Sequence, residues 1–280
     1  MTNEPTRGGA TLVLGGGGKT GRRVADRLQA LGQTVRLASR STTPRFDWTD
    51  RSSWAAALHG AQQAYVAYQP DLAVPGALET VTHFFEQAVG QGVKRLVLLS
   101  GRGEVEAEQA EQALQASGAD WTILRCSWFN QNFSETYLRD AILGGEVALP
   151  VGDVPEPFID ADDIADVAVA ALTQPGHVGR LYELTGPCAL SFRDAVAQIA
   201  AVTGRAIHFE RITPQDFRAG MAAAQVPRVE IDLVLYLFQT VLDGRNQEPA
   251  GGVQHALGRA PRDFSDYVRR AAAEGAWRVE

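Results

Sequence analysis

The segment Thr11-Leu-Val-Leu-Gly-Gly-Gly-Gly-Lys-Thr-Gly21 limits this chain more than any other: a short apolar run ends in glycines, and an amphipathic stretch follows. Gly15, Gly18 and Gly21 recur at every third residue. The first permits a sharp turn, the second lets main-chain N–H groups approach a diphosphate, and the third lets the next helix sit close to a sheet. An anion there would rest on the helix N-terminus, where unpaired N–H donors and the helix dipole favour negative charge. A glycine-rich turn without a ligand is the alternative for a bare pattern, but the strand before and the helix after are the context that dinucleotide binding requires.

The same alternation continues through the first half. Val/Leu-rich runs at 11–14, 34–38, 64–68, 95–99 and 121–125, with a stub near Phe46, read as strands covered on both faces. Helical spacing fills the gaps. Val24, Leu28 and Leu31 share one face of a helix that starts near Lys19 and stops at Gly32, and Leu78, Val81, Phe85 and Ala88 mark another. The expected fold class is α/β, a doubly wound parallel (Rossmann) sheet with right-handed crossovers. After Ser127 the alternation fails and turn clusters at Gly144-Gly145, Pro155 and Pro157 separate short segments. Residues 160–172 read as a helix, 181–184 as a late strand, 191–202 as a capped helix and 229–242 as a strongly apolar helix. The pattern predicts a nucleotide-binding domain over 1–127, completed by about 158–185. A smaller, mainly helical substrate lobe of 128–157 and 186–280 would close a cleft over the sheet's carboxyl edge.

Composition narrows the partners. The 280 residues are 45% apolar with a net charge of -7, which suits a globular protein and argues against nucleic acid as a partner. No apolar stretch approaches the ~20 residues of a membrane helix. Cys126 and Cys188 stand far apart, and the five histidines show no metal-like spacing, so no metal is expected. The opening MTNEPTRGG lacks the basic and apolar regions of a signal peptide, which predicts a cytoplasmic protein acting on small molecules. Oligomeric state is left open.

The end of the second strand decides between dinucleotides, because a carboxylate about 20 residues past the loop would hold the ribose 2′-hydroxyl of NAD. Ser39-Arg40 stands there instead. A guanidinium matches a 2′-phosphate, so NADP(H) is expected over NAD(H). Lys19 and Thr20 in the loop join the candidate contacts, with Arg45 weaker. Asp47-Trp48 could flank the adenine, although core packing accounts for Trp48 equally well. Beyond the central strands lie Tyr68-Gln69-Pro70, Ser100-Gly101-Arg102 and Cys126-Ser127-Trp128-Phe129, where the reacting end of a ligand belongs.

The runs GGGGKTGRR, LLSGRG, WTILRCSWFNQNF, PFIDADDIADVA and YELTGP resemble the NmrA-like atypical short-chain dehydrogenases. Within that group the chain is similar to bacterial proteins like the ergot-alkaloid festuclavine dehydrogenases and the NAD(P)H azoreductases. The resemblance implies an NAD(P)H-dependent oxidoreductase. It makes Gly15, Gly18, Gly21 and Arg40 cofactor contacts, sets Ser100 near the nicotinamide, and has Trp128, Phe129 and Asn132 line the substrate side.

One departure matters chemically. Typical members use a Tyr with a Lys four residues later, whose ammonium lowers the phenol's pKa for proton transfer. The only lysines here are Lys19 and Lys94, and Gly15 and Gly90 precede them by four. Tyr137, His83, Ser100 and Tyr68 are substitute donors to be weighed, and Glu104, Glu106, Glu108 and Glu111 read as a solvated helix face. Without that donor, an iminium ion, a quinone-like or azo acceptor, or a conjugated double bond is a better hydride acceptor than a plain ketone. The aspartates 160, 162, 163 and 166 read as a helix cap rather than a metal site. An alternative function is an NADP(H)-sensing regulator of the NmrA type, which would need no proton donor.

Overall fold

A computed structural model describes residues 9–278. In chain order the elements are β1 (Ala10–Leu14), α1 (Lys19–Ala30), β2 (Val35–Ala38), α2 (Trp54–Leu58), β3 (Ala61–Val66), α3 (Ala77–Gly90), β4 (Arg95–Gly101), α4 (Val105–Ala116), β5 (Asp120–Cys126), α5 (Asn132–Glu135) and α6 (Tyr137–Gly144). There follow β6 (Glu146–Leu149), α7 (Ala161–Thr173), β7 (Arg180–Leu184), α8 (Phe192–Thr203), β8 (His208–Arg211), α9 (Pro214–Ala223), α10 (Arg228–Tyr236), α11 (Gly252–Leu257) and α12 (Phe264–Ala273). A π-helical turn, Leu237–Val241, continues α10.

Six strands form one sheet in the order β2-β1-β3-β4-β5-β7. The pairs β1–β2, β1–β3 and β3–β4 are parallel, with Leu12 opposite Arg36 on one side and Ala64 on the other. Strand order therefore reverses between β1 and β3, which is the topological switch point where doubly wound sheets bind ligands. The Rossmann expectation holds. Burial explains the Val/Leu-rich strands, since Leu12, Val13, Leu14, Leu96, Val97 and Leu98 have no exposed surface.

The stub expected near Phe46 is not a strand. Phe46 is buried as a knob beside Trp54 and Phe84, and its N–H returns to the Ser39 carbonyl at 2.9 Å, closing a loop instead of joining a ladder. Leu31 also departs from expectation: it caps α1 at 59% exposure, outside the buried stripe of Val24, Ala25 and Leu28.

The chain divides into two compact units. The first takes residues up to Ser100, Val105–Leu124 and Ala165–Tyr182; the second takes Gly101–Glu104, Arg125–Ile164 and the chain from Glu183 onward. The second unit is no smaller than the first. It has its own aromatic core, with Phe133 and Phe158 each in contact with Phe192 and Phe264, and it adds a parallel pair, β6–β8, to the mainly helical part that was expected. No helix among the described residues is long and apolar enough to cross a membrane.

Candidate functional site

The glycine loop joins β1 to α1. Gly15 turns the chain at φ +66°, in the left-handed region that glycine adopts without strain. Gly18 closes the turn, its N–H donating to the Gly15 carbonyl at 2.8 Å, and stands at the N-cap of α1. No side chain caps that helix. The first N–H groups of α1 thus have no side-chain cap. A Cβ on Gly21 would lie 2.2 Å from the Gly15 oxygen, so only glycine lets the helix sit this close to the turn. A Cβ on Gly17 would meet nothing within 4 Å. This cradle suits a diphosphate.

Across the switch point the loop meets the segment after β3. Ala67 and Gln69 are the side chains nearest a Cβ on Gly15, and Gln69 Nε2 would lie 3.4 Å from one on Gly18. Thr20 is buried in the first turn of α1, whereas Lys19 beside it is half-buried and its carbonyl accepts from Arg23 at 2.7 Å.

At the end of β2, Ser39 anchors a polar loop: its N–H donates to Thr42 Oγ1 at 2.9 Å, and its hydroxyl meets that of Ser41 at 3.1 Å. Arg40 is exposed and forms no hydrogen bond or ion pair among the described residues. Arg45, by contrast, pairs with Asp47 at 2.7 Å. Asp47 also accepts from the Thr49 amide and hydroxyl, and these bonds, with Arg45, hold its carboxyl below the usual range. Trp48 packs edge-on against Phe46 and Phe84 and lies 4.9 Å from Tyr68, so Trp48 and Tyr68 form one half-buried aromatic patch.

The proposed proton donors are placed unevenly. Ser100 is buried at the end of β4, and its hydroxyl donates to Glu111 Oε1 at 2.6 Å. Glu111 and Glu104 are buried, which corrects the solvated-face reading for these two, while Glu108 is exposed as expected. The spacing of Ala107, Ala110 and Leu114 puts Glu111 on the inward stripe of α4. His83 lies on the exposed face of α3 with Nδ1 2.8 Å from the Glu79 carbonyl oxygen. Tyr137 opens α6 against Phe217, and burial raises its phenol well above the ordinary range. A raised phenol is a poor acid near neutrality.

In the second unit the strand end Cys126-Ser127 runs into Trp128, which packs on Phe192 at 5.3 Å and on Phe238 of the π-helical turn at 4.9 Å. Phe129 bridges to Ile159, and Asn132 begins α5; both are half-buried. Burial and the neighbouring Glu104 push the Cys126 thiol up, leaving it unreactive.

Two groups here escaped sequence reasoning. Asn130 is fully buried with neither amide atom bonded, and Glu156 is 1% exposed with its carboxyl pushed up to about 7 by burial. Of the four aspartates expected as a cap, Asp160 acts as one, its Oδ1 accepting from the Asp162 amide at 2.9 Å while Arg270 holds Oδ2 at 2.6 Å; the others are held in ion pairs. Asp163 is clamped by Arg259 and Arg262, and Asp166 pairs with Arg27.

Comparison with known proteins bears on this geometry. The family model described as NAD(P)H-binding matches residues 15–175, from the first glycine of the loop to the end of α7. The chain belongs to this NAD(P)H-binding family. The agroclavine dehydrogenase of Claviceps fusiformis is 30% identical to it, over 92% of this chain and 95% of that protein. The NAD(P)H azoreductase of Xenophilus azovorans is 29% identical, over 95% and 99%. Among solved structures, the NADPH-dependent quinone oxidoreductase of Escherichia coli in complex with NADPH superposes with a TM-score of 0.75 at 20% identity, over 94% of this chain and 99% of that one, and shares the fold. The likeness to clavine dehydrogenases and azoreductases is borne out, and the protein is an NAD(P)H-dependent oxidoreductase.

Proposed function

We propose that this protein reduces an activated, electron-poor small molecule, such as an iminium ion, a quinone-like or azo compound, or a conjugated double bond, and prefers NADPH to NADH. The observation that carries the reading is the pairing of a built diphosphate cradle with the absence of any Tyr followed four residues later by Lys. Bound nicotinamide would supply the hydride. The loop amides of residues 15–21 would hold the diphosphate, and Arg40, exposed and unpaired, would meet the 2′-phosphate. Asp47 offers the ribose little competition, because Arg45 and Thr49 already occupy it.

Trp128, Phe129 and Asn132 are the residues we assign to the acceptor, with the second unit as the substrate-binding part and the first as the cofactor-binding part. Their task is orientation and exclusion of water, since the Ser100 hydroxyl is committed to Glu111 and the Tyr137 phenol is raised. The relatives agree in kind, being named for clavine, azo and quinone chemistry. The test is NADPH oxidation against a panel of imines, quinones, azo dyes and enones. Turnover of one of these classes, and none of plain ketones, is expected. Tight nucleotide binding without turnover of any of them would favour the NADP(H) sensor instead.

A further inference from the structure

Glu156 lies between two prolines, Pro155 and Pro157, in the connection from β6 to α7. Its backbone exchanges both hydrogen bonds with Leu190 at 3.0 Å, an antiparallel bridge that fixes the residue. Three residues on, the Ile159 amide donates to the Trp128 carbonyl at 2.8 Å and the Ile159 carbonyl accepts from the Asn130 amide at 2.9 Å. Residues 156–159 therefore run beside 127–130, the segment leaving the carboxyl end of β5. This alignment brings the Glu156 carboxyl to the Trp128 amide, 3.4 Å from Oε1, and beside the Ser127 hydroxyl.

Among the described residues no ion pair holds the carboxyl. Arg102 is the one charged group among the described residues that acts on it, and that guanidinium is engaged elsewhere, 3.3 Å from Glu183 and donating to the carbonyls of Asn246 and Glu248. The buried acids of the same unit that serve structure are treated differently: Asp160 and Asp163 are clamped by arginines. A buried, unpaired carboxyl keeps its proton, because burial penalises the charged form. Ser127 is 3% exposed, and its hydroxyl completes no hydrogen bond in good geometry, so it is free to accept from Glu156 and donate onward.

We propose that Glu156 is a proton reservoir that acts through the Ser127 hydroxyl on acceptors whose reduction consumes a proton. The inference rests on the reductase reading above and adds the proton source that reading lacks. With NADPH as reductant, a quinone or azo acceptor takes two electrons and one hydrogen as hydride. The Ser127 O–H breaks as a new O–H or N–H forms on the acceptor, and the Glu156 carboxyl O–H breaks as Ser127 regains its proton. Glu156 is left as carboxylate and takes a proton from water. An iminium ion is neutralised by hydride alone and needs no such proton. Glu156 touches no acceptor atom; it positions and recharges Ser127.

The test compares the wild type with Glu156→Gln and Ser127→Ala on a quinone and on a cyclic iminium, with kcat followed against pH. In the wild type the quinone rate should fall as pH rises through about 7, where the carboxyl loses its proton, and the iminium rate should show no matching break. Each substitution should lower the quinone-to-iminium rate ratio by about 100-fold, the lower range for a positioned acid, and Glu156→Gln should erase the break. The apoprotein gives a separate readout: an infrared band of a protonated carboxyl that disappears through the same pH range and is missing in Glu156→Gln. Equal losses on both acceptors, a pH break that survives in Glu156→Gln, or no such band would overturn the proposal while leaving the reductase reading intact. Turnover of neither acceptor by the wild type would overturn both. Ser127→Ala keeps the buried acid and its backbone bridge, so the kinetic comparison stands even if Glu156→Gln folds poorly.

Discussion

Two substitutions in the glycine loop separate folding from binding. At Gly21 an added Cβ would sit 2.2 Å from the Gly15 oxygen and 2.7 Å from its carbonyl carbon, both main-chain atoms that cannot rotate away. Ordinary contact begins near 3.4 Å, so α1 or the turn must move by about 1 Å. Overpacking of this kind costs about 1–3 kcal/mol or more, against about 1 kcal/mol gained from placing alanine in a helix. Gly21→Ala should therefore destabilise the apoprotein and also spoil the loop. At Gly17 an added Cβ meets nothing within 4 Å, and the residue lies outside the left-handed region. Gly17→Ala should change apoprotein stability by no more than about 0.5 kcal/mol. Its methyl group would enter the space assigned to the diphosphate, and loss of one charge-assisted bond of about 1.5–3 kcal/mol raises Kd about 10- to 150-fold. Denaturant unfolding of the apoproteins and calorimetric titration with NADPH measure the two effects separately. If Gly17→Ala binds NADPH as the wild type does, or if it unfolds as readily as Gly21→Ala, the cradle is wrongly placed.

Arg40→Ala should weaken NADPH binding about 10- to 150-fold by titration and leave NADH binding nearly unchanged; equal losses would remove Arg40 as the discriminator. Asn130→Leu should raise unfolding stability by about 1–3 kcal/mol, because it deletes a fully buried amide with both polar atoms unbonded, and a loss in denaturant melts would mean that the amide has a partner such as a buried water. Asp163→Ala, which removes a fully buried carboxylate from Arg259 and Arg262, should cost about 1.5–3 kcal/mol in the same assay, since the arginines left behind are partly exposed and can be solvated. For Glu156 the folded pKa is raised, from 4.5 to about 7. Its full contribution to stability is present below about 4.5 and is lost as pH rises through about 7, a loss of about 3 kcal/mol. The stability difference between the wild type and Glu156→Gln should be set near pH 4 and shift in favour of Glu156→Gln by pH 8; parallel pH profiles would refute this assignment.

The parts of the fold that showed in the sequence are those whose signal is local. β1, the glycine turn and α1 were legible because an apolar run, a three-residue glycine period and a helical stripe follow one another. β3 was placed late, at 64–68 instead of Ala61–Val66, because Gln62 and Gln63 open it; Gln63 belongs there through its bond to Thr11 Oγ1 at 2.7 Å, a contact between strands that no local pattern carries. β6 and β8 have four residues each and find partners about 60 positions apart, so neither stood out from the surrounding turns. Glu111 carried a usable signal, being four residues after Ala107 and three before Leu114, yet a helix rich in glutamate reads as solvated. Glu156 carried none. Between two prolines it looks like a turn, and its place is set by long-range pairing, with Leu190 and with the segment at 128–130.

That contrast bears on the chemistry. Three of the proton donors that looked promising in the sequence are occupied or hold their proton: Ser100 bonds to Glu111, His83 returns to its own helix, and Tyr137 is desolvated, while Tyr68 packs its ring on Trp48. A missing Tyr/Lys pair could mean that no proton is delivered at all, which would confine the enzyme to cationic acceptors. A buried acid that no ion pair holds among the described residues argues otherwise, because an isosteric amide would fill the same space without the pH-dependent penalty that Glu156 imposes. If the carboxyl serves turnover, the acceptor is one whose product carries a new O–H or N–H, so the rate on quinone-like and azo compounds relative to that on iminium ions should be highest at low pH and fall as Glu156 ionises.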